Sequence, residues 1–117
     1  MKNKNNKYIL WFDELTIKDV ALVGGKNASL GEMYKKLRNK GIPVPNGFAV
    51  TANAYWYFLK HNKIQEKINI ILRGLKTDKI IDLQNRAKKI KNLILNSEFP
   101  EDLKEQIIFS YKNLAKF

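Results

Sequence analysis

Apolar residues along this chain recur with two different periods. Two short runs rich in aromatic and branched side chains, at Tyr8 to Phe12 and at Phe48 to Val50, predict strands. Elsewhere apolar residues return every three or four positions, which indicates amphipathic helices. The pattern predicts an α/β fold dominated by helices, with two short strands near the N-terminus and about five helices. The predicted helices span about residues 27–40, 52–61, 64–72, 80–94 and 100–114.

Each predicted helix carries an apolar face that we expect to be buried. Thr51 and Asp78 are the predicted N-caps of the second and fourth of these helices. A single irregular helical turn is expected before the glycine pair at positions 24 and 25. The residues expected to pack inward are Ile17, Val20 and Leu22 around that turn; Ala52, Tyr55, Trp56 and Leu59; Ile80, Leu83, Ala87, Ile90 and Ile94; and Leu103, Ile107, Tyr111 and Leu114.

The most informative stretch is VGGKNASLGEM, residues 23–33. Gly24 and Gly25 lack a Cβ atom, so a ligand's oxygens can come close to main-chain N–H groups there. Lys26 adds a positive charge, and Asn27 falls near the start of a helix, where unpaired N–H groups and the helix dipole favour an anion. The residues alone therefore allow a phosphate-binding turn, but they equally allow a tight turn followed by a solvated lysine.

Two familiar nucleotide-binding motifs are excluded at this stretch. A P-loop requires a glycine five residues before its Gly-Lys pair and a Ser or Thr after it, and Val20 and Asn27 occupy those positions. The dinucleotide-binding fingerprint also fails, because Gly24, Gly25 and Gly31 do not match its spacing.

The formal net charge of +11 raises the question of nucleic-acid binding. The charge is mostly lysine and is spread over every segment, which is typical of a solvated surface, so we expect no specific nucleic-acid partner. The absence of cysteine and the single histidine exclude thiolate and multi-histidine metal centres. The apolar runs are too short for a membrane span or a signal peptide, so a cytoplasmic protein without a membrane partner is expected.

Three blocks resemble a known family. The segments WFDEL, VGGKNASLGEM and GIPVPNGFAVTANAY, between Trp11 and Leu59, are similar in wording and spacing to the N-terminus of the phosphoenolpyruvate synthase (pyruvate, water dikinase) family. Residues 60–117 fit that family more loosely. The resemblance implies the beginning of an ATP-grasp-like nucleotide-binding domain. It also implies that Lys26 contacts the ATP phosphates. Gly24, Gly25 and Asn27 are the other candidate phosphate-binding residues, from the local pattern described above.

The resemblance also implies what a complete enzyme needs beyond this segment. Family members convert ATP, pyruvate and water to AMP, phosphoenolpyruvate and phosphate, and use Mg²⁺-binding carboxylates and a phosphohistidine domain farther along the chain. Residues 1–117 are therefore expected to form a single domain, an N-terminal fragment that is inactive alone, with ATP and the remaining domains as its partners and residues 1–7 as a disordered tail. Asp13, Glu14 and Asp19 are expected to be caps or solvated charges rather than metal ligands.

Two alternatives stay open at the level of sequence. Related dikinases and antibiotic phosphotransferases share a similar glycine–lysine opening, although the NASLGEM and PVPNGFAVT wording favours the synthase. A small basic protein that binds a partner or nucleic acid without catalysis is the other alternative.

Overall fold

A computed structural model describes residues 3–116 of the chain. The chain divides into two compact units, the first comprising residues 1–56 and 100–117 and the second residues 57–99. The sequence predicted a single domain over residues 1–117.

The first unit contains the two predicted strands. Strand β1, Ile9–Trp11, pairs antiparallel with β2, Phe48–Val50, and Trp11 lies opposite Phe48. Their rings pack with centroids 5.3 Å apart. Hydrogen bonds continue past the ladder, since the N–H of Phe12 donates to Gly47 O over 2.9 Å. The strands therefore fix the two ends of the segment that contains the glycine turn.

Helices make up most of the described residues, as the sequence predicted, and α2 begins two residues earlier than the predicted start at Asn27. The irregular helical turn predicted at residues 16–20 is a 3-10 turn, Ile17–Asp19, and the four-residue helix that follows it was not predicted. The six α-helices of the described residues are α1, Val20–Val23; α2, Gly25–Asn39; α3, Ala52–His61; α4, Gln65–Leu72; α5, Ile80–Leu95; and α6, Glu101–Leu114.

The core of the first unit forms where α2 packs on the chain just after β1. Gly31 makes that approach possible, because a Cβ atom at this position would lie 2.4 Å from the Cβ of Leu15 and 3.2 Å from the backbone oxygens of Leu15 and Phe12. The close contact therefore sets the distance between α2 and the segment that follows β1. The buried side chains around it are Leu10, Leu15, Val23, Ala28 and Ala49.

Residues 1–7 were expected to form a disordered tail. Within that segment, Lys4–Asn6 form one turn of 3-10 helix. The Nζ atom of Lys4 lies 2.6 Å from Asp19 Oδ2, and that of Lys7 lies 2.8 Å from Glu14 Oε1. These ion pairs tie residues 4–7 to the segment that follows β1. Residues 1 and 2 of the expected tail lie outside the described residues.

In the second unit, an arginine that the sequence did not single out links α5 to the end of α4. In α5, the Arg86 Nη1 atom donates to the backbone oxygens of Ile71, over 3.0 Å, and of Arg73, while Nε donates to Asp82 in the same helix. These backbone oxygens belong to the C-terminal end of α4, where carbonyl groups lack partners within the helix. Helix α5 itself has no buried residue.

The predicted apolar faces of α3 and α6 are correct at Leu59 and Leu103, which are buried, and wrong at the aromatic positions. Tyr55 and Trp56 are 47% and 56% exposed, with the buried positions of α3 at Ala54, Phe58 and Leu59. In α6 Tyr111 is 70% exposed while its neighbour Ser110 is buried. Neighbouring residues of a helix lie about 100° apart, so two adjacent stripes both satisfy the spacing and only the packing partner selects one.

The other corrections concern the turn and one helix cap. Ile17 and Val20 are about half exposed, and Leu15 and Val23 are the buried residues that flank the turn. At the start of α5 the N-cap is Lys79 rather than Asp78, with no capping bond from its side chain. Thr51 was predicted correctly, because its Oγ1 accepts a hydrogen bond from the N–H of Ala54.

Candidate phosphate-binding turn

Gly24 is the single residue between α1 and α2. Its φ of +84° and ψ of 163° fall in a region that is essentially restricted to glycine. Its N–H donates to Val20 O over 2.8 Å, and its own oxygen accepts from the N–H of Ala28 over 3.1 Å. Gly24 therefore ends one helix and starts the next, which explains why the chain carries a glycine at this position.

The N-terminus of α2 is open. Among residues 3–116 no side chain caps it, and the first turn carries no acidic residue. The first backbone bond into the helix comes from Ala28, so the N–H groups of Gly25, Lys26 and Asn27 point out of the helix end. Beyond the adjoining backbone, no atom of the described residues lies within 4 Å of where a Cβ would stand at Gly24 or Gly25, so a ligand can approach this backbone closely.

Lys26 brings a positive charge to this open end. Its side chain is exposed and forms no ion pair with any carboxylate in the described part of the chain. Three lysines of the first unit, Lys4, Lys7 and Lys36, do form ion pairs, the last with Glu32 at 3.2 Å. The structure thus brings the four predicted residues, 24 to 27, together in one exposed turn with an uncompensated charge.

The side chain of Asn27 has a partner that the sequence reasoning missed. Its Nδ2 atom donates to the backbone oxygen of Val23, the last residue of α1, over 3.0 Å. The spacing of four residues between a short amide side chain and a helix-end carbonyl was the available signal. What Asn27 presents at the open helix end is therefore its backbone N–H group.

The carboxylates near the turn hold its supporting segment in place. Glu14 Oε2 accepts from the N–H of Trp11 over 2.9 Å, and Asp19 Oδ2 accepts from the N–H of Thr16 over 2.8 Å. From α2, Glu32 Oε2 accepts from the N–H of Ile17 over 3.1 Å. Glu14 and Asp19 are therefore caps, one of the two roles expected for them, whereas Asp13 is exposed.

These carboxylates do not fit a Mg²⁺ site. Mg²⁺ requires oxygen ligands that are free to converge on it, whereas Glu14 and Asp19 each accept from a backbone N–H and from a lysine. Within residues 3–116 no group of three or more His, Cys, Asp or Glu residues is placed to hold a metal ion.

The same contacts shift the pKa values of the three carboxyl groups. Burial raises the pKa of Glu14 and of Asp19, but the hydrogen bonds from Lys7 and the Trp11 N–H to Glu14, and from Lys4 and Thr16 to Asp19, outweigh it, so both pKa values lie below their ordinary range. The pKa of Glu32 is lowered by the N–H of Ile17 and then by Lys36.

Acid should therefore destabilise this segment. A carboxyl whose pKa is lower in the folded chain contributes stability above its ordinary pKa, which is 3.8 for Asp19, and that stability is lost as the pH falls through the folded value. We expect the free energy of unfolding to fall between pH 5 and pH 3, and to fall less in Asp19→Asn. Urea unfolding at each pH measures this.

Asp78→Asn is the control for that comparison. Asp78 is exposed and has no hydrogen bond or ion pair within the described residues, so its replacement should leave the pH dependence unchanged. Equal pH dependence in wild type and Asp19→Asn would contradict the role given to Asp19.

The turn is a surface feature, and a separate cleft lies along β1. That cleft, of about 470 Å³, is bounded by residues of β1 and α6 and includes none of the four turn residues. Small-molecule sites usually enclose most of their ligand. An exposed turn on its own can therefore contact the phosphates of a nucleotide but cannot enclose its base.

In the described residues no helix is both long and apolar enough to span a membrane.

Comparison with known proteins gives a consistent result. The family described as pyruvate phosphate dikinase, AMP/ATP-binding domain, matches residues 20–117. The chain is 47% identical over 114 residues to a phosphoenolpyruvate synthase of Aquifex aeolicus, a match that covers 97% of this chain and 13% of the relative. It is 36% identical over 113 residues to the phosphoenolpyruvate synthase of Escherichia coli, covering 97% of this chain and 14% of that enzyme.

A probable phosphoenolpyruvate synthase of Methanocaldococcus jannaschii is also 47% identical, over 98% of this chain and 9% of the relative. The chain thus spans only about a tenth of the length of these relatives, while nearly all of it is matched. The family match begins at α1 and includes the whole glycine turn. The chain therefore belongs to the pyruvate phosphate dikinase AMP/ATP-binding domain family.

Proposed function

We propose that residues 24 to 27 supply part of the ATP-phosphate-binding surface of a phosphoenolpyruvate synthase. That enzyme converts ATP, pyruvate and water to AMP, phosphoenolpyruvate and phosphate. The observation that supports this most strongly is the open end of α2, where three outward N–H groups and the unpaired Lys26 lie next to two glycines with free space around them. Backbone N–H groups at a helix N-terminus favour phosphate oxygens.

Each residue has a distinct part in this proposal. Gly24 sets the angle between α1 and α2 with a backbone conformation that other residues avoid. Gly25 leaves room for a phosphate oxygen beside the helix end. The Lys26 ammonium balances negative charge on the phosphate chain. Asn27 adds its backbone N–H.

This surface covers only part of what the reaction needs. Transfer of a phosphoryl group requires several positive groups around one phosphate chain, and usually Mg²⁺. Since the carboxylates beside the turn are occupied as caps, we propose that the Mg²⁺ ligands and the phosphorylated histidine belong to the remaining domains of the enzyme. Those domains and ATP are the partners of this segment.

The finer fold assignment is part of the same proposal. A helix-dominated chain with two antiparallel strands is compatible with the opening of an ATP-grasp-like domain, which we propose it forms in a cytoplasmic enzyme. A related dikinase is the alternative, favoured by one observation: the matching family takes its name from pyruvate phosphate dikinase.

A chimera tests the proposal. Residues 1–117 would replace the matched segment of the Aquifex aeolicus enzyme, to which the chain is 47% identical. We expect the chimera to be phosphorylated by ATP and to form phosphoenolpyruvate from pyruvate, and the 117-residue chain alone to form no AMP from ATP and pyruvate. A folded chimera without phosphorylation, or turnover by the isolated chain, would contradict the proposal.

A further inference from the structure

The side chain of Asn27 forms a hydrogen bond across the glycine turn. Its Nδ2 atom lies 3.0 Å from the oxygen of Val23, the residue that ends α1. Asn27 itself belongs to the first turn of α2, and Gly24 alone separates the two helices. The bond therefore connects the two sides of the turn, and Asn27 is half-buried while its neighbours Gly25 and Lys26 are exposed.

This bond adds a side-chain restraint to the two backbone hydrogen bonds that Gly24 makes with Val20 and Ala28. Glycine reaches many backbone conformations, so Gly24 by itself does not fix the direction in which the following N–H groups point. The carbonyl of Val23 also lacks a partner within α1, because the last carbonyls of a helix have none. The side-chain amide of Asn27 donates a hydrogen bond to the Val23 oxygen. The same bond fixes that oxygen relative to the start of α2.

We propose that Asn27 is a positioning residue for the phosphate-binding turn. Its side chain holds Val23 and Gly24 against the first turn of α2, so that the N–H groups of Gly25 and Lys26 face the phosphate. The side chain of Asn27 acts on the phosphate through this backbone and not by contacting the phosphate itself. The proposal rests on the proposed function of the turn, and it adds a role for a side chain that the sequence had placed in direct contact with the ligand.

Amide hydrogen exchange in the nucleotide-free 117-residue chain tests the restraint. Loss of one hydrogen bond across the turn should raise the exchange rates of the Gly24 and Ala28 amides roughly fivefold in Asn27→Ala. If the Asn27 side chain only contacted the phosphate, its loss would leave these exchange rates unchanged in the absence of phosphate. If the alanine variant does not fold, the measurement is repeated on Asn27→Asp, because aspartate has nearly the same shape as asparagine and lacks its side-chain N–H donor.

Asn62→Ala is a matched control. The Asn62 Nδ2 atom donates to the oxygen of Phe58, also four residues earlier, over 2.9 Å, and its side chain makes further bonds with Glu98. Its loss should change exchange around residues 58–62 and leave Gly24 and Ala28 unchanged. Unchanged exchange at Gly24 and Ala28 in the Asn27 variants would overturn the proposal.

Titration with inorganic triphosphate connects the restraint to binding. In the wild-type chain we expect the N–H signals of Gly25 and Lys26 to shift, with roughly fivefold weaker binding in Asn27→Ala and unaltered binding in Asn62→Ala. Equal binding by wild type and Asn27→Ala would overturn the positioning role. If the wild-type signals do not respond, the proposed phosphate site fails together with the positioning role, and the exchange data still decide whether Asn27 restrains the turn.

Discussion

Replacing Lys26 by alanine in the chimeric enzyme is expected to slow its phosphorylation by ATP roughly 100-fold or more. Removing one preorganised group that stabilises developing charge typically costs about 100- to 1000-fold in rate. Since the Lys26 side chain is exposed and has no ion pair in the described part of the chain, its loss leaves the core intact. The free energy of unfolding should change by less than about 0.5 kcal/mol.

Lys26→Arg is expected to restore less than about a tenth of the lost rate. The guanidinium group is planar and broader than an ammonium, so it returns the charge without the geometry of a compact group beside two glycines. Lys40→Ala is the matched control, because it removes one positive charge at the opposite end of α2 and should leave the rate near the wild-type value. Wild-type phosphorylation in Lys26→Ala would show that Lys26 is only a solvated turn residue.

Gly31→Ala is expected to lower the free energy of unfolding by roughly 2 kcal/mol or more. Overpacking typically costs about 1–3 kcal/mol, and alanine's better helix propensity offsets at most about 1 kcal/mol. The loss of stability should lie at the upper end of that overpacking range. The new Cβ would lie 2.4 Å from the Leu15 Cβ and close to two backbone oxygens, and none of these atoms can rotate away.

Gly25→Ala is the matched control for this effect. Both glycines belong to α2, but nothing lies within 4 Å of a Cβ built at position 25 and its φ is not positive. Its stability should stay within about 0.5 kcal/mol of wild type. Urea unfolding of both variants, followed by circular dichroism, provides the comparison. Equal midpoints would mean that α2 does not approach the Leu15 segment as closely as described.

The elements of this fold could be predicted from sequence where a local signal marks them. The second strand was predicted with its observed bounds, and α2 within two residues, because Gly41 and Pro43 end one element and Thr51 begins another. The buried faces of α3 and α6 could not be assigned in the same way. Whether Tyr55 or Ala54 faces inward depends on which neighbour is packed against the helix, and that information is not local.

The site was predicted only in part for a similar reason. The glycines, Lys26 and the start of α2 follow from local chemistry and from the resemblance of three sequence blocks to a family. The Asn27 side-chain bond depends on the unusual backbone of Gly24, and the role of Gly31 depends on a contact with Leu15, sixteen residues earlier in the chain. Neither is visible in a pattern of apolar spacing.

The central claim is that the turn at residues 24 to 27 contacts the phosphates of ATP. A crystal structure of the chimera with a non-hydrolysable ATP analogue tests it most directly. We expect the Lys26 Nζ atom and the N–H groups of Gly25 and Lys26 to lie within about 3 Å of phosphate oxygens. A bound analogue whose phosphates lie elsewhere, with Lys26 extended into solvent, would contradict the claim.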